Sequence, residues 1–354
     1  MAPDPEQRTR ELEYLARLAP GTPLRDGFER ILRGRTGALV VLGDTPEVIG
    51  LCTGGFVLDV PYTPTALREL AKMDGAIVIT SDLSRIVRAG VHLMPDPQLE
   101  TVETGTRHRT ADRVSRQTGV PVATVSASMS TIAIFIDGVR RPLETSEQVL
   151  SRANQAVQTL ERYRERLWQV TGRLSVLEVE DQVTIKDLAL VAQRLEMIRR
   201  LQNEIEAYVL ELGTDGRLLA LQLSELGAGL DELAELLSMD YGPSDDTGLD
   251  LAGLAGLTTG KLLEPGEVAR ALGFANAHLD TRISARGYRQ LAQINRLPTA
   301  YGARLVEHFG NLQGIFGATT AELQEVEGVG ESRARLIREG LTRLAESAYA
   351  ERLG

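Results

Sequence analysis

Cysteine is nearly absent from this sequence of 354 residues, which contains only Cys52. One cysteine excludes an intramolecular disulfide and a cysteine-based zinc site, and it indicates a reducing compartment. Aromatic residues make up 4% of the chain, so the core must rely on aliphatic side chains. Hydrophobic residues at 43% and charged residues at 25% are typical of globular proteins rather than disordered or fibrous ones.

Long apolar runs are also missing, because no segment approaches the roughly 20 residues needed to cross a bilayer. Residues 1–6 are acidic and polar, unlike a signal peptide. We therefore expect a cytoplasmic protein with no membrane partner.

Negative charge is unevenly distributed. The formal net charge is −10, and residues 146–290 carry −8 of it, with 15 basic and 23 acidic side chains. The nearly neutral ends can meet phosphate groups, whereas the acidic middle suits spacing or protein contacts. The length predicts two or three domains.

The first segment, residues 1–145, alternates predicted helices and strands. Helical spacing occurs at 24–32, 63–73 and 111–118, and short apolar runs that predict strands occur at 37–43, 76–80, 120–126 and 131–136. Strands separated by helices predict an α/β domain with a mostly covered sheet.

The second segment, residues 146–291, is predicted to be helical. It opens at Ser146, and no proline occurs between Pro142 and Pro243. Apolar residues recur at helical spacing, which favours an antiparallel bundle or spine. Residues 241–246 interrupt it, and short helices are expected to follow.

The third segment, residues 292–354, contains two related pieces. A turn at 297–302 precedes a helix-like stretch at 303–309, and a turn at 326–330 precedes another at 331–344. We predict a small helical domain with an internal duplication.

Two short motifs in the first segment suit nucleotide chemistry. Asp74-Gly75-Ala76 stands at a helix-to-strand junction, where a carboxylate can bind a metal ion and small residues admit a ligand. Thr106-Arg107-His108-Arg109-Thr110 precedes a predicted helix and offers guanidinium, hydroxyl and backbone donors to a polyphosphate. The alternatives are an ordinary turn and a solvated helix start, with His108 as a core residue.

These two motifs, at this separation in an α/β domain, resemble the diadenylate cyclase family. The helical middle and a C-terminal helix-hairpin-helix region extend the resemblance over the whole chain. It implies that the protein condenses two ATP molecules into cyclic di-AMP with Mg²⁺ or Mn²⁺. It also implies an octamer with cyclase domains face to face, and branched DNA such as Holliday junctions as a partner.

The resemblance assigns roles to particular residues. Asp74 would bind metal and act in catalysis with Arg107 and His108. The implied nucleotide-binding residues are Gly75, Ala76, Leu93, Thr106, Arg107, His108, Arg109, Thr110 and Ser126. One departure is that Ala127-Ser128-Met129-Ser130 stands where many relatives carry basic residues. An ATP-gated DNA-junction scaffold with little or no cyclase activity is therefore the alternative.

The turn at 328–330 predicts a phosphate contact. Gly328-Val329-Gly330 before a helix lets backbone amides point at one phosphate, and Arg333, Arg335 and Arg338 can reach its neighbours. Such contacts hold DNA without reading its sequence. As a short string, Gly-Val-Gly is also a plain turn before a helix.

Overall fold

The computed structural model describes residues 5–242, 249–275 and 277–353. The chain divides into two compact units. The first unit comprises the residues up to 155 together with 205–221, and the second comprises 156–204 and the residues from 222 onwards. Within the described residues, no helix is both long enough and apolar enough to cross a membrane.

The first unit is built around one sheet of eight strands. They are β1 (Ala38–Leu42), β2 (Cys52–Thr53), β3 (Phe56–Pro61), β4 (Ala76–Ile79), β5 (Arg85–Leu93), β6 (Val122–Ser126), β7 (Thr131–Ile136) and β8 (Val139–Leu143).

The described helices fall into three groups along the chain. Those among the strands are α1 (Pro5–Arg17), α2 (Pro23–Arg33), α3 (Pro46–Gly50), α4 (Pro64–Leu70) and α5 (Thr106–Thr118). The middle has α6 (Ser146–Val179), α7 (Ile185–Leu212), α8 (Arg217–Gly227), α9 (Leu230–Tyr241), α10 (Thr259–Leu262) and α11 (Pro265–Ala271), with 3₁₀ turns at Gly213–Gly216 and Ala252–Gly256. The last are α12 (Tyr288–Leu291), α13 (Thr299–Phe309), α14 (Leu312–Gly317), α15 (Thr320–Leu323) and α16 (Glu331–Leu353).

A repeated Thr-Pro step starts three helices of the first unit. Thr22, Thr45 and Thr63 are the N-caps of α2, α3 and α4, and each side-chain oxygen accepts a hydrogen bond from the N–H three residues on. The proline that follows each cap needs no hydrogen-bond partner at that position and already has a helical φ.

Strand β1 lies in the middle of the sheet. The strand order is β2-β5-β4-β1-β6-β7-β8, with β3 also paired to β5. Strand β1 runs parallel to β4, with Val40 opposite Ile77, and all other pairs are antiparallel.

Helices cover both faces of the sheet. On one face, Phe28 and Ile31 of α2 pack with Val40 and Ile77. On the other, Ala111 and Val114 of α5 pack with strand residues that include Val41 and Phe135. The predicted α/β domain with a covered sheet is confirmed.

Several boundaries differ from the sequence expectation. The four predicted strands exist, but β2, β3, β5 and β8 were not expected because their sequences carry arginine, glycine or exposed side chains instead of an apolar run. Helix α5 begins at Thr106, so residues 106–110 form its first turns and do not precede it. Helix α13 likewise begins at Thr299, four residues earlier than expected.

The long helical linker that follows the α/β domain is confirmed, and α6 begins at Ser146 as predicted. The sequence predicted an interruption of the helices at 241–246. Helix α9 ends at Tyr241, and residues 243–246 lie outside the described part of the chain.

Two similar helical hairpins form the end of the chain. One is α12, a turn and α13; the other is α15, a turn and α16. Arg296 and Gly328 hold equivalent places in the two turns, with φ angles of 66° and 81°. Leu291, Ile294 and Leu305 of one hairpin share a core with Leu323 and Ile337 of the other. This geometry agrees with the predicted duplication.

Candidate functional site

A cavity of about 920 Å³ in the first unit brings together most of the residues expected to bind a nucleotide. Its lining includes Asp74, Gly75, Ala76, Leu93, Thr106, Arg107, His108, Thr110 and Ser126. Arg109 is exposed and does not line it. The lining also contains residues that the motifs did not indicate, among them Leu39, His92, Met94, Thr104, Ser128 and Met129.

The position of Asp74 beside the cavity depends on a close contact between the backbones of two segments of the chain. Gly75 has a φ of 110°, and a Cβ there would lie 2.6 Å from the carbonyl carbon of Gly90 on β5. Only glycine fits this conformation and this spacing without strain. The exposed Asp74 carboxylate is thereby held at the start of β4, beside the cavity.

The first turn of α5 forms another part of the cavity wall. Gly105, with a φ of 85°, precedes the helix without a side-chain cap, and the Arg109 N–H makes the first helical bond, to the Gly105 carbonyl. The first turn contains no acidic residue. Its free N–H groups and the positive end of the helix dipole favour an anion here.

Arg107 lies against Gly37, just before β1. A Cβ at Gly37 would contact Nη1 of Arg107 and lie 3.1 Å from its Cζ atom. Glycine at this position therefore leaves space for the guanidinium at the cavity. The sequence offered no signal for this role, because residue 37 is far from both motifs along the chain.

His108 is half-buried, and its Nε2 has no hydrogen-bond partner among the described residues. Burial lowers the pKa of His108, the positive charges of Arg140 and Arg107 lower it further, and Glu103 opposes the effect. The ring centroid lies 6.1 Å from that of Phe135. Near neutral pH the imidazole is therefore uncharged and can exchange a proton or a hydrogen bond with a ligand.

Arg140 and Glu103, whose charges act on His108, form an ion pair with each other. Arg140 Nη1 lies 3.3 Å from Oε2 of Glu103, and the Glu103 side chain is only 15% exposed. Neither residue belongs to a motif, so sequence reasoning missed both.

Ser126, at the end of β6, also lines the cavity. Its hydroxyl lies 3.3 Å from that of Ser128 and accepts a hydrogen bond from the Met129 N–H. Among the described lining residues, Arg107 is the only arginine and there is no lysine. After Ser126, the segment Ala127-Ser128-Met129 therefore brings a hydroxyl group and no basic side chain to the lining.

A metal ion would depend on Asp74. Among the described residues there is no group of three His, Cys, Asp or Glu side chains that could hold one. A single carboxylate fits Mg²⁺ or Mn²⁺ only when phosphate oxygens of a bound nucleotide complete the coordination, which is a common arrangement for Mg²⁺.

The second predicted site is the turn before α16. Gly328 has a φ of 81°, and a Cβ there would lie 2.9 Å from Nη1 of Arg304. Arg304 donates to the Glu327 carbonyl at 2.9 Å, and Arg333 donates to that of Gly328 at 2.7 Å. Both guanidinium groups lie over the ring of Tyr301, at 5.6 and 4.3 Å. Arg304 therefore joins Arg333 beside the turn, although the sequence did not indicate it.

The other predicted hairpin residues have separate environments. Val329 packs in the core at 3% exposure, so only its backbone is available to a ligand. Arg335 pairs with Glu331 on the surface of α16. Arg338 donates to the carbonyls of Phe316 and Ala318, where it caps the end of α14.

Comparison with known proteins matches both units. The family model described as DisA bacterial checkpoint controller nucleotide-binding matches residues 25–140, and that of the DisA bacterial checkpoint controller linker region matches residues 143–279. Relatives from Streptomyces avermitilis and Streptomyces coelicolor are each 58% identical, over 96% of this chain and 92% of their own. A relative from Parafrankia sp. is 57% identical over 96% of both chains. All three are named DNA integrity scanning protein DisA.

Proposed function

The chain belongs to the DisA family, and on that premise we propose that it condenses two ATP molecules into cyclic di-AMP. One observation carries the proposal. A carboxylate at Asp74 and the donor-rich start of α5 line the same cavity of about 920 Å³. The first suits activation of a hydroxyl group, and the second suits binding of phosphates.

The reaction is a double nucleotidyl transfer. The 3′-hydroxyl of each ATP loses its proton and attacks the α-phosphorus of the other ATP. Each attack forms one phosphodiester bond and breaks the bond between the α- and β-phosphates, so that two pyrophosphates leave. The product is a ring with two-fold symmetry.

The cavity residues divide this work. Arg107 and the N–H groups at the start of α5 bind phosphate oxygens, with hydroxyl donors from Thr106, Thr110 and Ser126. Leu93, at 9% exposure, offers an apolar surface to the adenine. Gly75 and Ala76 allow the ribose to approach the backbone. Neutral His108 is placed to hold or pass a proton.

Asp74, together with the phosphates of the bound ATP, would hold Mg²⁺ or Mn²⁺. The ion would offset developing negative charge and make the hydroxyl easier to deprotonate.

Two subunits are needed because each cavity serves one ATP, whereas the product contains two nucleotides. A product with two-fold symmetry is best made between two identical sites that face each other. We propose face-to-face cyclase domains within an octamer. Specific activity should then fall when the protein is diluted below the concentration at which it assembles.

The test of the cyclase is Asp74→Asn. The full-length variant and the wild type are incubated with ATP and Mn²⁺ or Mg²⁺, and cyclic di-AMP is detected by mass. The product should disappear in the variant while its size by light scattering stays that of the wild type. The matched control is Asp59→Asn, an exposed carboxylate on β3 that is not in the cavity lining, and it should keep its activity. Full activity of Asp74→Asn would refute the assignment.

We further propose that the C-terminal hairpins bind DNA, with branched DNA such as Holliday junctions as the partner. The geometry that supports this is the turn 328–330 at the start of a 23-residue helix, with Arg304 and Arg333 beside it. Because the C-terminal segment has a net charge close to zero, each subunit should bind DNA with modest affinity. Tight binding should then require several subunits of one oligomer to bind the same DNA. Gly328→Asp with Gly330→Asp should abolish binding of a four-way junction. Unchanged binding would exclude this turn as the contact.

The alternative is a scaffold that binds ATP and DNA junctions with little catalysis. It is favoured by the absence of basic residues at 127–130, which weakens the triphosphate end of the cavity. The mass measurement on the wild type separates the two functions, because the scaffold would bind ATP without forming product. Measuring the rate with and without a four-way junction then tests whether DNA and catalysis are coupled.

A further inference from the structure

The second unit contains a cavity of about 560 Å³ that shares no residue with the nucleotide site. It lies between α6, α9, α12 and α16, and its walls are mainly aliphatic, as at Val176, Leu233, Leu236 and Leu344. Sites for small organic ligands have this size and composition when a few polar groups converge on them.

A glycine in the middle of a helix provides part of the space. Gly172 lines the cavity and is the only glycine in the 34 residues of α6. A glycine inside a helix costs about 0.5–1 kcal/mol relative to alanine. That cost is understandable if the position must stay open for an occupant.

Arg289 supplies a donor that lacks an acceptor. Its side chain is 95% buried, and its Nε and Nη2 atoms donate to Glu178 and Ser175. Its Nη1 has no hydrogen-bond partner among the described residues, and the side chain lines the cavity. Since Nη1 is not fully enclosed by protein atoms, an acceptor on a ligand in the cavity can reach it, and a charge-assisted hydrogen bond there would stabilise the complex.

Charge narrows the kind of ligand. The charged side chains on the lining are Arg164, Arg289 and the exposed Glu232. Glu178 offsets the charge of Arg289 from behind, and Arg164 donates to the carbonyls of Glu225 and Ala228. Two positive and two negative side chains therefore sum to zero, so a ligand's acidic group would be held by its hydrogen bond to Arg289 and not by an excess of positive charge, and a second acidic group would have no partner.

We propose that this cavity binds an amphipathic organic anion with an apolar body and one carboxylate or sulfonate group. The apolar body fills the space beside Gly172, and the acidic group accepts from Nη1 of Arg289. The occupant would touch α6 of the linker and α12 and α16 of the hairpins, and would strengthen their packing.

The chain carries its own reporter of this site. Trp168 is the only tryptophan, lines the cavity and is 64% exposed. Anilinonaphthalene sulfonate accepts energy from tryptophan, so binding in this cavity appears as energy transfer under selective tryptophan excitation. N-phenylnaphthylamine has the same apolar body without the sulfonate and serves as the matched probe.

On the full-length wild type, we expect saturable energy transfer with both probes and tighter binding of the sulfonate. Gly172→Leu should fill the cavity and weaken both by about tenfold or more, which is at least about 1.4 kcal/mol. Arg289→Lys retains the charge beside Glu178 but removes the free donor, so it should abolish the preference for the sulfonate. Gln169→Leu adds leucine to α6 outside the lining and should change nothing.

Circular dichroism with thermal melting verifies that each variant is folded. Two results would overturn the proposal: wild-type protein that binds the sulfonate without energy transfer from Trp168, or unchanged binding of both probes in folded Gly172→Leu. Equal affinity of the wild type for the two probes would contradict the proposal that the ligand carries an acidic group that binds Arg289.

Discussion

The backbone of Gly75 packs directly against that of Gly90, so that a Cβ on residue 75 would lie 2.6 Å from the Gly90 carbonyl carbon. Both residues have left-handed φ angles, 110° and 64°. The contact fixes where β4 begins and, with it, where Asp74 projects. The catalytic carboxylate proposed above is therefore positioned by Gly75, which immediately precedes β4, and by Gly90 of the neighbouring strand β5.

Gly75→Ala should disrupt this contact. The backbone cannot yield on either side, so we expect a loss of about 1–3 kcal/mol in the free energy of unfolding. Cyclase activity should fall more than stability alone explains, because Asp74 moves. Gly50→Ala is the matched control, since nothing lies within 4 Å of its added Cβ. Denaturation curves measure the stability of both variants, and initial rates measure their cyclase activity. A fully active Gly75→Ala variant would contradict the claim that the contact between Gly75 and Gly90 positions Asp74.

Arg140→Met should raise the pKa of His108. Burial is the main reason that this pKa is low, and the charge of Arg140 is the second. Removing that charge favours the protonated imidazole, so the acid limb of the cyclase pH–rate profile should move to higher pH. Since the change would also leave Glu103 unpaired, Arg140→Met with Glu103→Gln is measured beside it. A profile that does not move in either variant would show that His108 does not titrate in the reaction.

Arg304→Ala should weaken binding to a four-way junction. It removes one guanidinium beside the turn and the hydrogen bond to the Glu327 carbonyl. Loss of one phosphate contact should also lower the steepness of the salt dependence by about one unit. Arg335→Ala, which removes a residue already paired with Glu331, should have a smaller effect. Titrations at several salt concentrations measure both quantities; equal effects of the two variants would assign no special role to Arg304.

Asp240 should make stability depend on pH. Burial, and next the neighbouring Glu178, raise the pKa of Asp240 from 3.8 to about 6, despite hydrogen bonds from the N–H groups of residues 287–289. A raised carboxyl pKa means that the folded state retains a proton that the unfolded state loses. Its contribution is therefore complete below pH 3.8 and is lost as the pH rises through about 6.

Asp240→Asn cannot titrate and should remove that trend. The difference in unfolding free energy between wild type and variant is measured from denaturant curves across this pH range. As the pH rises through about 6, the wild type should lose stability relative to the variant. Asp231→Asn, an exposed position on the same helix α9, is the control. A difference that is constant with pH would show that Asp240 ionises alike in both states.

Hydrophobic periodicity and short motifs were enough to predict the central strands of the sheet and the helical linker. Apolar runs indicated β1, β4, β6 and β7 because these strands are buried on both sides. Strand β5 was not predicted, since arginine and glycine interrupt its sequence. The early start of α5 was missed because Gly105 provides no side-chain cap.

The same limit applies to the nucleotide site. Asp74-Gly75 and residues 106–110 could be found as strings, because a carboxylate beside a glycine and a group of phosphate-binding side chains are local chemistry. Gly37, Gly90 and the pair Arg140–Glu103 could not. Their roles are contacts between segments that are distant along the chain.

The sequence by itself determined an α/β domain followed by a helical linker, since hydrophobic spacing reports which faces of each element must be buried. It also determined the two motifs, because they are contiguous. Only the tertiary structure decided that both motifs line one cavity and that Gly90 holds Asp74 there. It alone revealed the free donor of Arg289 beside the space left by Gly172. The reason is physical: a close approach or an unmatched donor depends on the distance between atoms of different segments, and residue order does not encode that distance locally.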